Sequence, residues 1–325
     1  MIGSSLMDLR IPVLQAPMFL VSSLGLATAC SRAGVIGSFQ LYNARTADEL
    51  ALWLRTIAQT QSHCRERGLR FAPYAVNVTA RRIGQPDERE KFRLIEAARV
   101  PLVISSGGDP SAVTERAHGW GGRVIHDVTT LRFAEKAMAA GVDGLMLTCA
   151  GAGGHPGHLS PFSFLPQVRQ AFDGLIVLAG GIADGAGIRA ALALGADLVC
   201  MGTRFIATRE SNAPTAYKAM IVESGSADVV TTDAFDIPTA NWLRASLAMN
   251  GLDPSMLTTA AGRAAAALPE GVRPWKTLWS GGHSVGLVTD IPSVAGLVDR
   301  LERQIEPFLP AGWRDRLAVR LGVSP

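Results

Sequence analysis

The chain has 325 residues, 48% of them apolar and 18% charged, with a mean hydropathy of +0.21. That balance suits a globule with buried strands and speaks against a disordered or fibrous chain. The formal net charge of +3 is small for this size and gives no electrostatic reason to expect nucleic acid or an anionic membrane as partner.

Near the start, Arg10, an apolar stretch and the small residues Leu26–Cys30 bear a superficial likeness to a secretory leader. Pro12, Gln15 and Pro17 interrupt the stretch, so the expectation is a first strand, a loop and a first helix in a cytoplasmic protein. No run approaches the length of a membrane span. The four cysteines, Cys30, Cys64, Cys149 and Cys200, form no CxxC pair and no zinc spacing, so reduced buried thiols are expected and no metal site.

Short apolar runs then alternate with longer amphipathic ones. The runs are 11–15, 34–38, 72–78, 100–105, 123–126, 144–148, 175–179 and 198–201. Between them lie helical stretches such as 47–67, 87–98, 131–140 and 185–194. Fully apolar strands separated by helices indicate a parallel sheet buried on both faces, and eight such units favour a closed (β/α)8 TIM barrel of the α/β class. Gly34, Gly141, Gly174 and Gly195 stand where a helix hands over to a strand and each fits a left-handed helix cap. Residues 58–70 make the connection to the third strand long, and no function is read from them.

From Glu210 onward the rhythm breaks into segments read as mostly helical, including 239–249 and 292–306. The expected organisation is a barrel over 1–209, a helical cap over 210–290 with a late loop at 279–286, and a C-terminal helix packing on the barrel over 291–325.

In a barrel, chemistry sits at the C-terminal ends of the strands. The seventh run ends in Ala179, Gly180 and Gly181, and the eighth is followed by Gly202 and Thr203. Glycines there let backbone N–H groups approach an anion, so a phosphorylated cofactor is the functional reading and ordinary tight turns the structural one. The first run ends in Gln15, Ala16, Pro17 and Met18, and the third carries Asn77; these could address a polar ring edge, although Asn77 reads nearly as well as a turn residue. After the sixth run, small residues surround Gly154, His155 and Pro156. Their pattern suggests a loop packed against a flat ligand, with His155 as a proton-exchanging group and His126, His158 and His283 as secondary candidates.

Gln15–Met18, Gly154–Gly157, Ala179–Gly185 and Met201–Phe205 together resemble the characteristic segments of the nitronate monooxygenase (2-nitropropane dioxygenase) family, and Trp279–Gly286 is similar to that family's late loop. The resemblance covers roughly the first two-thirds of the chain and that later island. It implies non-covalent FMN with its phosphate near Gly180, Gly181, Gly202 and Thr203. Trp279, Ser280 and Gly281 would lie beside that phosphate, and Gln15–Met18, Asn77 and His126 around the ring and ribityl chain. Gly154 and Ala179 would complete the site. His155 takes the place of the catalytic base that removes the α-proton of a nitroalkane before O2 is engaged. Two departures stand out. His126 is followed by Asp127 where many relatives carry lysine, and His283 stands where many carry Gln or Met.

The same segments resemble NAD(P)H-dependent enoyl-thioester and quinone reductases, which is the alternative function. A barrel binding a phosphorylated ligand without redox chemistry is a further one; the lack of a lysine just after a strand, and of paired carboxylates at the strand ends, disfavours it. The expected partners are a small-molecule substrate and O2, or NAD(P)H under the alternative, with a monomer or homodimer as the assembly.

Overall fold

A computed structural model describes residues 6–235 and 237–324; the outermost parts of the expected first and last segments lie outside the described residues. The apolar runs form eight parallel strands: β1 (Val13–Gln15), β2 (Gly37–Gln40), β3 (Tyr74–Thr79), β4 (Leu102–Ser106), β5 (Arg123–Val128), β6 (Gly144–Thr148), β7 (Leu175–Ala179) and β8 (Leu198–Met201). Each pairs with the next from β2 to β8, and β8 pairs back onto β1 with Gln15 opposite Met201. The last joint is a parallel bridge between Leu14 and Ile36, where Ile36 N donates to Val13 O at 3.0 Å and Gln15 N to Ile36 O at 2.9 Å. The sheet is therefore closed into a barrel.

Alternate strand residues take opposite sides. Leu14, Ile36, Ala75, Ile104, Ile125, Met146, Val177 and Leu198 cluster inside the barrel. Val13, Val76, Val103, Val124, Leu145, Ile176 and Val199 belong to the layer beneath the helices. Burial on both sides is why these strands read as unbroken apolar runs.

Helices α1 (Leu24–Ala33), α2 (Ala47–Glu66), α3 (Pro86–Ala97), α4 (Ser111–Gly119), α5 (Leu131–Ala139), α6 (Pro161–Ala171) and α7 (Gly185–Ala193) follow β1 to β7 in turn. Ser23, Thr46, Thr130 and Asp184 start four of them by accepting a backbone N–H of the first turn. After β8 there is only a single turn, α8 (Thr203–Ile206). An insertion follows: α9 (Thr215–Glu223), the antiparallel pair β9 (Val229–Thr232) and β10 (Ala240–Leu243), α10 (Arg244–Met249) and α11 (Ala260–Ala265). The helix that completes the ring comes later. α12 (Val294–Ile305) packs against α1 and α7 and buries Val294, Leu297, Val298, Leu301 and Ile305. α13 (Trp313–Arg320) adds Leu317 and Ala318 to the cluster inside the barrel, together with Leu6 and Leu9.

Three expectations are corrected. The second strand begins at Gly37, because Gly34 caps α1 in the left-handed region at φ 89°. Residues 239–249 are half strand: all four residues of β10 are buried and paired with β9, and the helix starts only at Arg244. Gly174 is not a left-handed cap. It is small because a Cβ there would meet the Phe172 ring at 2.3 Å and Asp143 O at 2.8 Å.

If α12 is an integral stave of the barrel, Leu301→Ala should cost about 2–5 kcal/mol, as for other buried leucines. Val319→Ala, at a side chain 70% exposed, should change little. Urea midpoints of the two variants check this; equal midpoints would contradict the assigned role of α12.

Candidate active site

A cavity of about 1310 Å³ opens where the C-terminal ends of the strands meet the insertion. Of the residues singled out from the sequence, His155, Ala16, Pro17, Met18, Asn77, His126, Gly154, Ala179, Gly180, Gly181, Gly202, Thr203, Ser280 and Gly281 line it. Gln15 and Trp279 do not. Gln15 is fully buried at the β1–β2 joint, where its Oε1 accepts from Ser38 N at 2.9 Å and its Nε2 donates to Ser22 Oγ at 2.8 Å. Trp279 stacks on Tyr217, with ring centroids 5.0 Å apart, and donates Nε1–H to Lys276 O. Both act from behind the wall.

One end of the cavity is a cradle of free backbone donors. Gly180 and Gly181 have φ of 124° and 74°, and a Cβ on Gly180 would stand 3.1 Å from both Cys149 O and Ala150 O. The N–H groups of Gly180, Gly181, Gly202 and Thr203 have no hydrogen-bond partner among the described residues. The late loop closes on this end: Gly282 N donates to Thr203 Oγ1 at 2.9 Å. Ser280 is a bracket, since its hydroxyl accepts from Gly154 N at 2.8 Å and donates to Asn241 O at 2.5 Å. Several unpaired N–H groups around glycines are an arrangement able to hold an anion.

Across the mouth stand neutral polar groups. The amide of Asn77 donates to Ile104 O at 3.0 Å and Ser106 Oγ at 3.3 Å, leaving its Oδ1 to accept. His126 is 5% exposed, and its Nδ1 is buried without a partner. Burial pushes its pKa down to about 4, so the ring is neutral near pH 7. By strand alternation His126 shares the side of Val124 and Val128, in the layer beneath the helices. Its ring therefore lines the cavity beside Ala137 and Ala140, at the end of α5, and does not face the inner side of the mouth, where it was expected. Free N–H groups and the inward amide acceptor of Asn77 fit a flat heterocycle carrying a phosphate tail.

The β6–α6 loop carries His155. It is fixed from the insertion: Gly154 bridges Asn241 of β10, Asn241 N donates to Gly154 O at 2.9 Å, and Asn241 Nδ2 donates to Ala152 O at 2.7 Å. His155 Nδ1 lies 3.0 Å from Thr239 O. A carbonyl oxygen can only accept, so Nδ1 carries the proton and Nε2 keeps its lone pair. The ring meets Trp275 edge-on, with centroids 5.0 Å apart. His158 and His283 lie outside the cavity lining, and His283 holds the loop through its backbone, its N–H donating to Gly151 O and its carbonyl accepting from Ser226 Oγ at 2.7 Å.

Two lining residues carry more than their sequence reading assigned. Trp275, at φ 60°, sits in an irregular turn with no periodic signal to announce it. Asp127 was visible as a departure from relatives, but its place inside the mouth depends on the phase of β5: Ile125, two residues before it, faces the barrel interior. Its Oδ1 accepts from Thr148 Oγ1 at 2.5 Å, and burial pushes its pKa up to about 6.

A family model described as Nitronate monooxygenase matches residues 67–304. The chain is 30% identical to the nitronate monooxygenase of Paraburkholderia phytofirmans, with 91% of this chain and 92% of that one covered. It is 28% identical to the (3aS,4S,5R,7aS)-5-hydroxy-7a-methyl-1-oxo-octahydro-1H-indene-4-carboxyl-CoA dehydrogenase of Mycobacterium tuberculosis, over 72% of this chain and 63% of that one. Among solved structures, FabK from Thermotoga maritima superposes with a TM-score of 0.73 at 27% identity, covering 94% of this chain and 95% of that one.

His126 and Asp127 are both shifted toward their neutral forms, with opposite consequences for stability. His126 binds protons less readily folded than unfolded, so its contribution is lost as pH falls from its ordinary 6.5 through about 4. Asp127 binds them more readily folded, so its contribution is lost as pH rises from its ordinary 3.8 through about 6. Asp127→Asn should therefore stabilise the ligand-free chain by roughly 1–3 kcal/mol at pH 8, with a much smaller gain at pH 4. Urea unfolding at the two pH values measures the difference, and a gain of the same size at both would remove the carboxyl's ionisation as its cause.

Proposed function

The chain belongs to the nitronate monooxygenase family, and from that premise we propose that it is an FMN-dependent oxidoreductase that oxidises alkyl nitronates and nitroalkanes with O2. The observation that carries the reading is His155, held with Nδ1 protonated against Thr239 O and Nε2 free beside the cavity.

The anion cradle of Gly180, Gly181, Gly202 and Thr203 suits a phosphate monoester, and Asn77 suits the polar edge of the ring. FMN bound there would supply the electron-accepting ring and its reactivity with O2. The chain's own part is proton handling and enclosure. His155 Nε2 takes the α-proton of a neutral nitroalkane as the C–H electron pair moves into the nitro group, which yields the nitronate. The Thr239 carbonyl stabilises the imidazolium that results, because both ring nitrogens then donate. Trp275 and the late loop shield the site from bulk water. A nitronate supplied as such needs no base.

A second reading is an NAD(P)H-dependent reductase of an enoyl thioester or quinone. One observation favours it: Arg81 and Lys136 line the outer cavity, and their side chains have no ion-pair partner among the described residues, which suits the phosphates of a nicotinamide or CoA carrier. Anaerobic mixing separates the readings. Flavin bleaching by a nitronate but not by NADH or NADPH supports the monooxygenase, and the reverse supports the reductase.

FMN is expected to copurify with the chain, and Gly202→Val to lose it while staying folded. The backbone at Gly202 (φ −101°) accepts a side chain, and its Cβ would meet only Ala16 Cβ at 3.5 Å and Met18 Sδ at 3.6 Å. The added methyls then crowd the cradle. A variant that is folded by circular dichroism and still fully yellow would displace the phosphate site. His155→Asn should slow turnover of neutral nitroalkane by about 10²–10⁴-fold and that of preformed nitronate much less. Equal losses on both substrates would assign His155 to binding and not to proton abstraction.

A further inference from the structure

Among the described residues, Asp127 is the one carboxyl on the inner side of the barrel mouth that neither the cradle nor His155's task employs. It stands on β5 directly opposite Met146 of β6, an interior residue, and lines the same cavity as Asn77, Thr148 and Cys200. A single side chain holds it, through the hydrogen bond from Thr148 Oγ1. Among the described residues no Arg or Lys acts on its charge, and His155 is the basic side chain that does so when protonated. A carboxyl so placed has low local dielectric on one side and the cavity on the other.

We propose that Asp127 is the proton-coupling residue of the cofactor site: its carboxyl takes up a proton from solvent when the bound flavin gains electrons and releases it when they leave. The inference rests on the flavin reading above. FMN with its phosphate held at β7 and β8 would extend its ring toward Asn77 on β3 and Asp127 on β5, both of which line the mouth. Two electrons arriving from the reducing substrate place negative charge over a carboxylate that has no fixed cation beside it, and at a few ångströms in a water-poor site that repulsion is large. The carboxylate relieves it by forming one O–H bond with a solvent proton; no other covalent bond is made or broken in this step. The proton on Asp127 enters with the two electrons and leaves with them, in addition to any proton the ring itself would take.

The groups that face Asp127 from the surrounding elements leave it free to do this. His126, on its own strand, stays neutral above about pH 4. Cys149 after β6 is pushed up to about 12 by burial, and Cys200 on β8 is pushed up further. Asp109, after β4, is held ionised by hydrogen bonds from Ser111. Lys136 and Arg81 stand farther out along the cavity lining. His155 is the remaining titratable neighbour, so the measurement is repeated in the His155→Asn background.

The reduction potential of the FMN-loaded protein is followed from pH 5 to 9 by dye-coupled titration. Above the pH at which the oxidised, FMN-loaded protein ionises Asp127, the wild-type potential should fall more steeply than that of Asp127→Asn. The expected difference is about 30 mV per pH unit, one proton per two electrons at tenfold per unit. The difference should persist in the His155→Asn background. Thr148→Val keeps the carboxyl but removes the hydrogen bond that favours its ionised form, so the steep region should begin at higher pH. Reduction at pH 8 should also raise the infrared carbonyl band of a protonated carboxylic acid, and Asp127→Asn should lack it. Parallel potentials in wild type and Asp127→Asn, with no such band, overturn the coupling while leaving the flavin reading intact. A wild-type chain that takes up no FMN overturns both.

Discussion

The joint between β1 and β2 is the constraint on which the rest of the structure depends. β1 has only three residues, and two backbone hydrogen bonds tie it to the chain before β2, whereas β3 and β4 match over five residue pairs. The buried Gln15 amide makes up the difference. Its Oε1 accepts from Ser38 N, its Nε2 donates to Ser22 Oγ and Ala16 O, and Ser38 Oγ donates back to Gln15 O at 2.5 Å. Removing that amide would leave Ser38 N–H buried and unpaired, a loss of about 1–3 kcal/mol. It would also release Ser22, whose hydroxyl accepts from Met18 N at 2.8 Å and so shapes the Ala16–Met18 wall of the cavity. Closing the barrel and shaping the site are thus one set of hydrogen bonds.

This explains which parts of the molecule were legible in the sequence. Parallel strands buried on both sides must be apolar throughout, so their number and order could be read directly, and glycines after β7 and β8 marked the anion cradle. Direction was harder. Gln15 was expected beside the ligand but faces away from the cavity, because Leu14 points into the barrel and a strand sends neighbours to opposite sides. The same alternation turns Asp127 inward. The insertion hid a strand pair because β9 and β10 are four residues each and gain their burial from one another and from the surrounding cap cluster of Leu247, Leu257 and Leu278, not from a long periodic pattern. Trp275 and Trp279 belong to turns whose side-chain directions no local rule predicts.

The eighth ring helix, displaced far along the chain, is held to the barrel by charge as well as by apolar packing. Arg204, 2% exposed just after β8, pairs with Asp290 at 3.0 Å and donates to Asp290 O and Ala207 O. Arg10, at the entry to β1, pairs with Asp299 at 2.7 Å and also with Glu302 on α12. Both terminal nitrogens of the buried Arg204 guanidinium are met, while its Nε has no partner among the described residues, and the paired donors pin the loop before α12 to the strand end that carries Gly202 and Thr203. The long excursion of the chain can therefore return to a fixed place without loosening the cradle.

The barrel and the insertion consequently divide the chemistry between them. Every free N–H of the cradle at β7 and β8 belongs to a barrel loop, and Asn77, His126 and Asp127 stand on barrel strands. The proton chemistry proposed for His155 would be set from outside the ring: Thr239 holds Nδ1, Asn241 fixes the loop, and Trp275 packs against the imidazole. An altered insertion can reshape the pocket around the base while the cradle keeps its geometry. That arrangement accounts physically for a chain that is similar at 27–30% identity to proteins bearing different names, a nitronate monooxygenase, a carboxyl-CoA dehydrogenase and FabK. Within such a scaffold a single inward residue such as Asp127 can change how electrons and protons are coupled without disturbing any contact that holds the barrel closed.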